Sequence, residues 1–211
     1  LTNVLLDEVD KELEKRGHAF CRYADDLNVY TRSKRAADDV MQTLRRQLAR
    51  LRLHVNETKS AVARPWDRTF LGFTFWVAKD DTVKRVVARK ALTAFKTRVR
   101  QITSRHGGRT LNAVVNELRG YLKGWRNYFR LSEWINELQD LDGWIRRRLR
   151  ALQLHQWRHC GRVFRQLLAR GVHERPAMAA AKHVRRWWRT AAHGALHAAM
   201  PTSYFDGLGV P

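Results

Sequence analysis

The sequence predicts an α+β chain: antiparallel hairpins packed on helices, followed by an all-α basic bundle. Three observations lead there. Helix-period and strand-period segments alternate up to about residue 81, helical periodicity dominates from residue 82, and the charge balance shifts at the same place. Residues 1–80 hold 15 Lys/Arg against 12 Asp/Glu, while residues 81–211 hold 26 against 8, so most of the formal net charge of +21 lies in the second part. We therefore expect two domains, 1–81 and 82–211.

In the first part, Leu1, Val4, Leu5, Val9 and Leu13 share one helical face, and Gly17 supplies a stop. The chain opens inside this helix with no initiator Met, which suggests a piece of a longer protein. HAFCRY and LNVYTRS are two β-prone runs around a short acidic turn, the pattern of a hairpin. Ser33 is placed to cap a helix whose stripe is Ala37, Val40, Met41, Leu44, Leu48 and Leu51. A second strand pair is expected from residues 60–64, through a PWDR turn, to residues 69–78.

In the second part, VKRVVARKALTAFKTRVRQIT reads as a basic amphipathic helix ending at Gly107-Gly108. From Thr110 to about Arg130, Leu111, Val114, Val115, Leu118, Tyr121, Leu122, Trp125 and Phe129 form an apolar face, opposite a stripe of Arg119, Lys123, Arg126 and Arg130. A third helix from about Glu133 to Leu154 turns Trp134, Leu138, Leu141, Ile145 and Leu149 inward. A last helix is expected over about 177–199, containing RRWWR; two adjacent tryptophans cannot both face one core, so one should be exposed. Short connections between amphipathic helices imply a bundle.

Composition narrows the function. A strongly basic surface calls for an anionic partner, nucleic acid above all. A membrane surface would need an exposed apolar face, and here those faces serve a core. No run of about 18 apolar residues is present to span a bilayer. Two cysteines, Cys21 and Cys160, make neither a zinc ribbon nor a disulfide framework, so we expect a reducing, intracellular, cytoplasmic setting. His155 and His159 are spaced for a metal, but Arg158 and Arg162 beside them repel one and the ligand count falls short.

The constellation that could carry chemistry is Tyr23-Ala24-Asp25-Asp26. Two adjacent carboxylates at a hairpin tip offer hard oxygen ligands to Mg²⁺. A pair of such ions can activate a 3′-hydroxyl and stabilise departing pyrophosphate. The plainer reading is a solvated turn, since acidic pairs in turns are common.

The surrounding residues favour the chemical reading. FCRYADDLNVYTRS, the helix after it, LRLHVNETKS (51–60) and Phe70-Leu71-Gly72-Phe73 together resemble the central palm of a group II intron reverse transcriptase/maturase. RTLNAVVNELRGYLKGWRNYFR and LDGWIRRRLRALQLHQW resemble the thumb, or maturase domain, of the same family. The resemblance runs in order over nearly the whole chain. It implies an RNA-directed DNA polymerase and maturase, bacterial and intracellular, with Asp25 and Asp26 as ligands of Mg²⁺ or Mn²⁺. Tyr23 and Ala24 would line the nucleotide and primer end. Lys59 would face the phosphates of the incoming dNTP as a proton donor, or else be a solvated loop lysine. Gly72 would allow close approach of the primer strand, or else mark a bulge. The partners implied are intron RNA, an RNA template and a DNA primer.

One departure counts against autonomous activity. The family needs a third metal-binding Asp on an earlier palm strand and basic finger residues, and nothing before Leu1 supplies them. The expectation is that this chain alone does not polymerise and that an N-terminal palm and fingers half completes it. The ending PTSYFDGLGVP resembles short members that lack a DNA endonuclease.

Arg and Lys stripes interleaved with Trp and Tyr suit structured RNA. Lys123, Arg126 and Arg130 on one helix, and Arg146, Arg147 and Arg148 on the next, are the candidate RNA contacts; Trp125 and Trp134 lie on apolar faces and read as core. The rival function is a non-catalytic, splicing-assisting RNA-binding module that has lost polymerase activity. A reverse transcriptase of another lineage would share the palm but not the long helical extension.

Overall fold

The computed structural model describes residues 2–210, so Leu1 lies outside the described residues. The chain divides into two compact units, residues 1–83 and 84–211.

The first unit is a helix–hairpin–helix layer. Helix α1 (Thr2–Lys15) leads through Gly17 at φ 70° into strands β1 (Ala19–Tyr23) and β2 (Asp26–Tyr30), then into α2 (Lys34–Arg50). The strands pair antiparallel, with Phe20 opposite Val29 and Arg22 opposite Leu27. Alternation puts those four side chains on one face, half-buried beneath the two helices. There Phe20, Leu27 and Val29 meet a core of Leu6, Val9, Leu13 and Val40, flanked by Leu44, Leu48, Leu51 and Leu53. Ser33 caps α2 by accepting from the Ala36 amide at 3.2 Å. The α1 face differs from expectation at its start: Val4 and Leu5 are 73% and 43% exposed, and Leu6 takes the buried place. Leu6, Val9 and Leu13 satisfy the helical repeat with one fewer side chain.

Residues 60–64 form no strand, contrary to expectation. The PWDR segment is a single 3₁₀ turn, Pro65–Asp67, and strand β3 covers Phe73–Val77. The chain enters this segment from a turn, in which the Ser60 amide donates to the Asn56 carbonyl at 2.9 Å and Arg68 donates to the Lys59 carbonyl. After β3 a turn closes with the Ala78 amide donating to the Thr82 carbonyl at 2.8 Å and leads into β4 (Val83–Val87).

The second unit is a helical bundle. Its entry corrects the expectation of helix from residue 82, because Val83–Val87 are extended and helix α3 begins only at Arg89 (Arg89–Ile102). β-Branched valines favour that conformation. It is fixed by the Arg85 amide donating to Glu133 Oε2 at 2.6 Å and the Glu133 amide donating to the Arg85 carbonyl at 2.8 Å. Helix α4 (Leu111–Phe129) is capped by Thr110, which accepts from the Ala113 amide at 3.3 Å. Its apolar face packs on α3, where Phe95 lies 4.4 Å from Trp125 and 5.7 Å from Tyr121 between ring centres. Helix α5 (Ile135–Trp157) runs through the bundle with Leu141, Ile145, Leu149 and Leu154 buried. Trp134, expected inward, is 40% exposed, because it sits at the cap before the helix rather than in its repeat.

The expected last helix is broken into pieces. After α6 (Cys160–Leu168) come α7 (Glu174–Lys182), α8 (Trp187–Thr190), α9 (Gly194–Ala199) and α10 (Thr202–Gly207). The break after Lys182 resolves the tryptophan conflict. Trp187 packs edge-on against His155 at 4.6 Å between centroids, while Trp188 stays 40% exposed. Thr190 Oγ1 then donates to the His183 carbonyl at 2.7 Å, satisfying a group that a continuous helix would have used.

Candidate functional site

The acidic hairpin has a two-residue loop. Tyr23 and Asp26 are the last paired residues, leaving Ala24 and Asp25 to turn. Ala24 has φ 55°, the left-handed region that lets a short turn match the twist of its strands. For a residue with a Cβ this conformation costs about 1–2 kcal/mol, so something must hold it. Arg22 does. Its Nη1 donates to the Ala24 carbonyl at 2.9 Å, and its Nε donates to both Asp10 oxygens at 2.8 and 2.9 Å. Asp10 belongs to α1, so the pair ties the loop to the first helix. The carboxylate's hydrogen bond raises the Arg22 guanidinium above its ordinary range, so it stays charged.

Tyr23 and Asp26 point to the face away from the helices, and Asp25 stands in the loop itself; all three, with Ala24, are exposed. Asp25 and Asp26 thus present oxygen ligands to solvent from a braced turn. Hard carboxylates suit a divalent cation. Among the described residues, however, no group of three or more His, Cys, Asp or Glu side chains comes together to hold one.

The other candidates in the first unit sit in turns. The Lys59 amide donates to the Asn56 carbonyl and to Asn56 Oδ1, at 3.1 and 3.2 Å, and Thr58 Oγ1 donates to the same Oδ1 at 2.7 Å. Arg45 of α2 holds Glu57 through two hydrogen bonds of 3.0 and 2.8 Å, and Arg68 donates to the Lys59 carbonyl. The Lys59 side chain is exposed. Phe70 and Phe73 exchange two backbone hydrogen bonds of 2.9 Å around Leu71 at φ 50° and Gly72 at φ 77°. Two successive positive φ values make this a primed turn, for which glycine in the second place is the favoured residue. Glycine is needed there for the turn itself.

In the second unit the two basic stripes differ. Lys123, Arg126 and Arg130 are exposed along α4. Arg146, Arg147 and Arg148 on α5 are half-buried. Arg147 donates twice to the Trp188 carbonyl, at 3.1 and 3.0 Å, with its guanidinium 4.2 Å from the Trp188 ring centre. Arg148 Nε donates to Thr103 Oγ1 at 2.6 Å. Arg146 Nε is buried with no hydrogen-bond partner among the described residues. Arg119, read as part of the α4 stripe, instead donates to the carbonyls of Leu208 and Gly209.

Two family models match the chain. Reverse transcriptase (RNA-dependent DNA polymerase) matches residues 1–75, and group II intron, maturase-specific domain matches residues 92–171. The order of the two is the order of the two units. The chain belongs to the group II intron reverse transcriptase/maturase family. No curated protein matches it significantly. A group II intron reverse transcriptase/maturase is an RNA-directed DNA polymerase and maturase in general terms, and the reverse-transcriptase match covers the acidic hairpin, Lys59 and Gly72. The maturase-specific match covers both basic stripes. Among the described residues of this family member no helix is long and apolar enough to cross a membrane.

Sequence reasoning missed the Arg22–Asp10 brace. Its only signal was a charged residue at a strand position whose neighbours two away face a core. It also missed a group of Arg and Trp side chains drawn from α3, α5 and α8, where Arg100 and Arg148 both lie over Trp144 at 5.6 and 5.3 Å. No local spacing announces a cluster assembled from three segments.

Proposed function

We propose that this reverse transcriptase/maturase uses Asp25 and Asp26 as metal-binding carboxylates in nucleotidyl transfer, and uses the helical second unit to hold intron RNA and template–primer. Residues 1–81 are then the C-terminal part of a palm and 82–211 a thumb/maturase domain. The observation that carries the reading is the braced acidic turn inside a segment matched by a reverse-transcriptase model.

The donor set fits Mg²⁺ or Mn²⁺ in kind, and the bound ions would supply Lewis-acid activation of the 3′-hydroxyl and of the phosphate. Asp25 and Asp26 hold the cations from a turn that Arg22 keeps rigid. Tyr23 and Ala24 flank the primer end, and Gly72 lets its turn present backbone to the primer strand. Lys59, on a turn fixed by Asn56, faces the dNTP phosphates and can yield a proton to the leaving pyrophosphate. Two carboxylates make an incomplete ligand set, so a third acid comes from a fingers–palm portion that completes the site. Lys123, Arg126 and Arg130 neutralise RNA phosphates; Arg146, Arg147 and Arg148 shape the neighbouring helix surface. The protein works in the cytoplasm, where its two free cysteines remain reduced.

A second reading is favoured by the exposed basic stripe of Lys123, Arg126 and Arg130 within the maturase-specific match. On it, the chain is an RNA-binding, splicing-assisting module without polymerase activity. Primer extension on an RNA template with Mg²⁺ separates the two, run with the chain alone and with a fingers–palm half of a related protein. Extension on complementation, lost in Asp25→Ala, is the expected result. No extension in either case, with RNA binding retained, would leave the binding module as the function.

A further inference from the structure

The second unit contains an Arg/Trp pocket apart from the Lys123, Arg126 and Arg130 stripe of α4. Arg100, Thr103, Arg105, Trp144, Arg148 and Trp188 line a space of about 290 Å³. Arg105 and Trp188 also line an adjoining, more open space of about 410 Å³, with Trp187 and the arginines at 185, 186 and 189. Both are open to solvent, the second more than the first.

Its electrostatics are one-sided. No Asp or Glu lines either space, and none of Arg100, Arg105 and Arg148 forms a salt bridge among the described residues. Burial lowers the Arg148 pKa from its ordinary value, and the charges of Arg100 and Arg105 lower it further. The cluster is nevertheless built. Thr103 Oγ1 accepts from Arg148 and itself donates to the Val99 carbonyl at 2.6 Å, fixing one guanidinium. Arg105 lies 5.1 Å from the Trp187 ring centre. Arg147 covers one face of Trp188, which remains 40% exposed at the mouth. Like charges gathered without a counter-ion are unfavourable unless an anion is the intended occupant. An aromatic plane beside them adds a stacking surface for a base.

We infer that this cavity captures one unpaired nucleotide of a single-stranded RNA loop or bulge, its phosphate held by Arg100, Arg105 and Arg148 and its base stacked at Trp188. The inference rests on the reading of the second unit as an RNA-binding domain and goes beyond it in naming the element recognised. A continuous duplex keeps its bases inside the stack and cannot offer one.

The test uses the whole chain and two RNAs of equal length, a stem closed by a single-stranded loop and the same stem fully paired. Affinity is read by fluorescence anisotropy, and each variant's fold by circular dichroism. Trp188→Ala should weaken loop binding roughly tenfold or more and change duplex binding by less than about twofold. Trp188→Phe should restore most of the loop affinity. Arg105→Ser should also weaken the loop complex more than the duplex. In the Lys123→Ala control, which removes a phosphate contact on α4, both should fall alike. Equal losses on loop and duplex in Trp188→Ala, or no loss, would overturn the pocket while leaving RNA binding intact. Failure of the unaltered chain to bind either RNA would instead remove the reading on which the inference rests.

Discussion

Arg22 illustrates how one side chain holds a strained turn in place. It faces inward with Phe20, Leu27 and Val29, yet its partners are Asp10 and the Ala24 carbonyl rather than the core. Arg22→Ala removes charge-assisted hydrogen bonds and strands Asp10, which should cost about 1–3 kcal/mol in urea unfolding; an unchanged midpoint would show that the brace does nothing. Asp25→Ala should have the opposite profile. It leaves the unfolding midpoint nearly unchanged but lowers primer extension by the completed polymerase roughly a hundredfold or more, since metal stabilisation is worth several kcal/mol. Extension at the unaltered rate would remove Asp25 from the chemistry. The hairpin that carries the acidic pair was legible because two β-prone runs flank it, and its proposed chemistry was read from residue type and adjacency. The brace was not, because Asp10 and Arg22 are twelve residues apart on different elements.

At the scale of elements, helical periodicity was read correctly along α2 and α4 and misread at the start of α1, where Leu6 rather than Val4 and Leu5 is buried. The stripe of α2 and the apolar face of α4 appear as expected, and Phe95 is buried between Tyr121 and Trp125. Phe95→Ala should destabilise the second unit by about 3–5 kcal/mol in denaturant unfolding, whereas a loss under 1 kcal/mol would mean that the bundle has no tight core there. Periodicity failed where backbone contacts decide. Val83–Val87 become a strand held at Glu133, and the stretch 177–199 breaks so that Trp187 can reach His155. That contact has a pH signature. Burial, then Arg105, Arg158 and His106, lower the His155 pKa from its ordinary 6.5, and burial with Arg150 and Arg147 does the same for His197. Both histidines take a proton more readily when unfolded. Their stabilising contribution is therefore full above about pH 6.5 and is lost as pH falls through the window below it. The unfolding midpoint should decline from pH 7 to 5, and His155→Gln should flatten part of that decline; parallel curves would dismiss the role of this histidine.

On the scale of the whole chain, the proposed chemistry and the proposed RNA grip rest on different physics. The first part is nearly balanced in charge and presents its acids from a braced turn, whereas the second carries 26 of the 41 Lys/Arg. Net charge requires no fold to be read, so the basic bias was visible at once. Which arginines also serve the fold was not visible, because Arg119, Arg147 and Arg150 each donate from Nε and Nη2 to carbonyls within the unit. The exposed Lys123, Arg126 and Arg130 remain the proposed phosphate contacts, whose strength should depend on released counterions. The most direct measurement is RNA affinity across a salt series, for the unaltered chain and for Asp25→Ala/Asp26→Ala. The account predicts a steep fall of affinity with salt, with the same slope and the same affinity in the variant. A shallow salt dependence, or RNA binding lost with the two carboxylates, would contradict the separation of a carboxylate site from a basic RNA-holding unit.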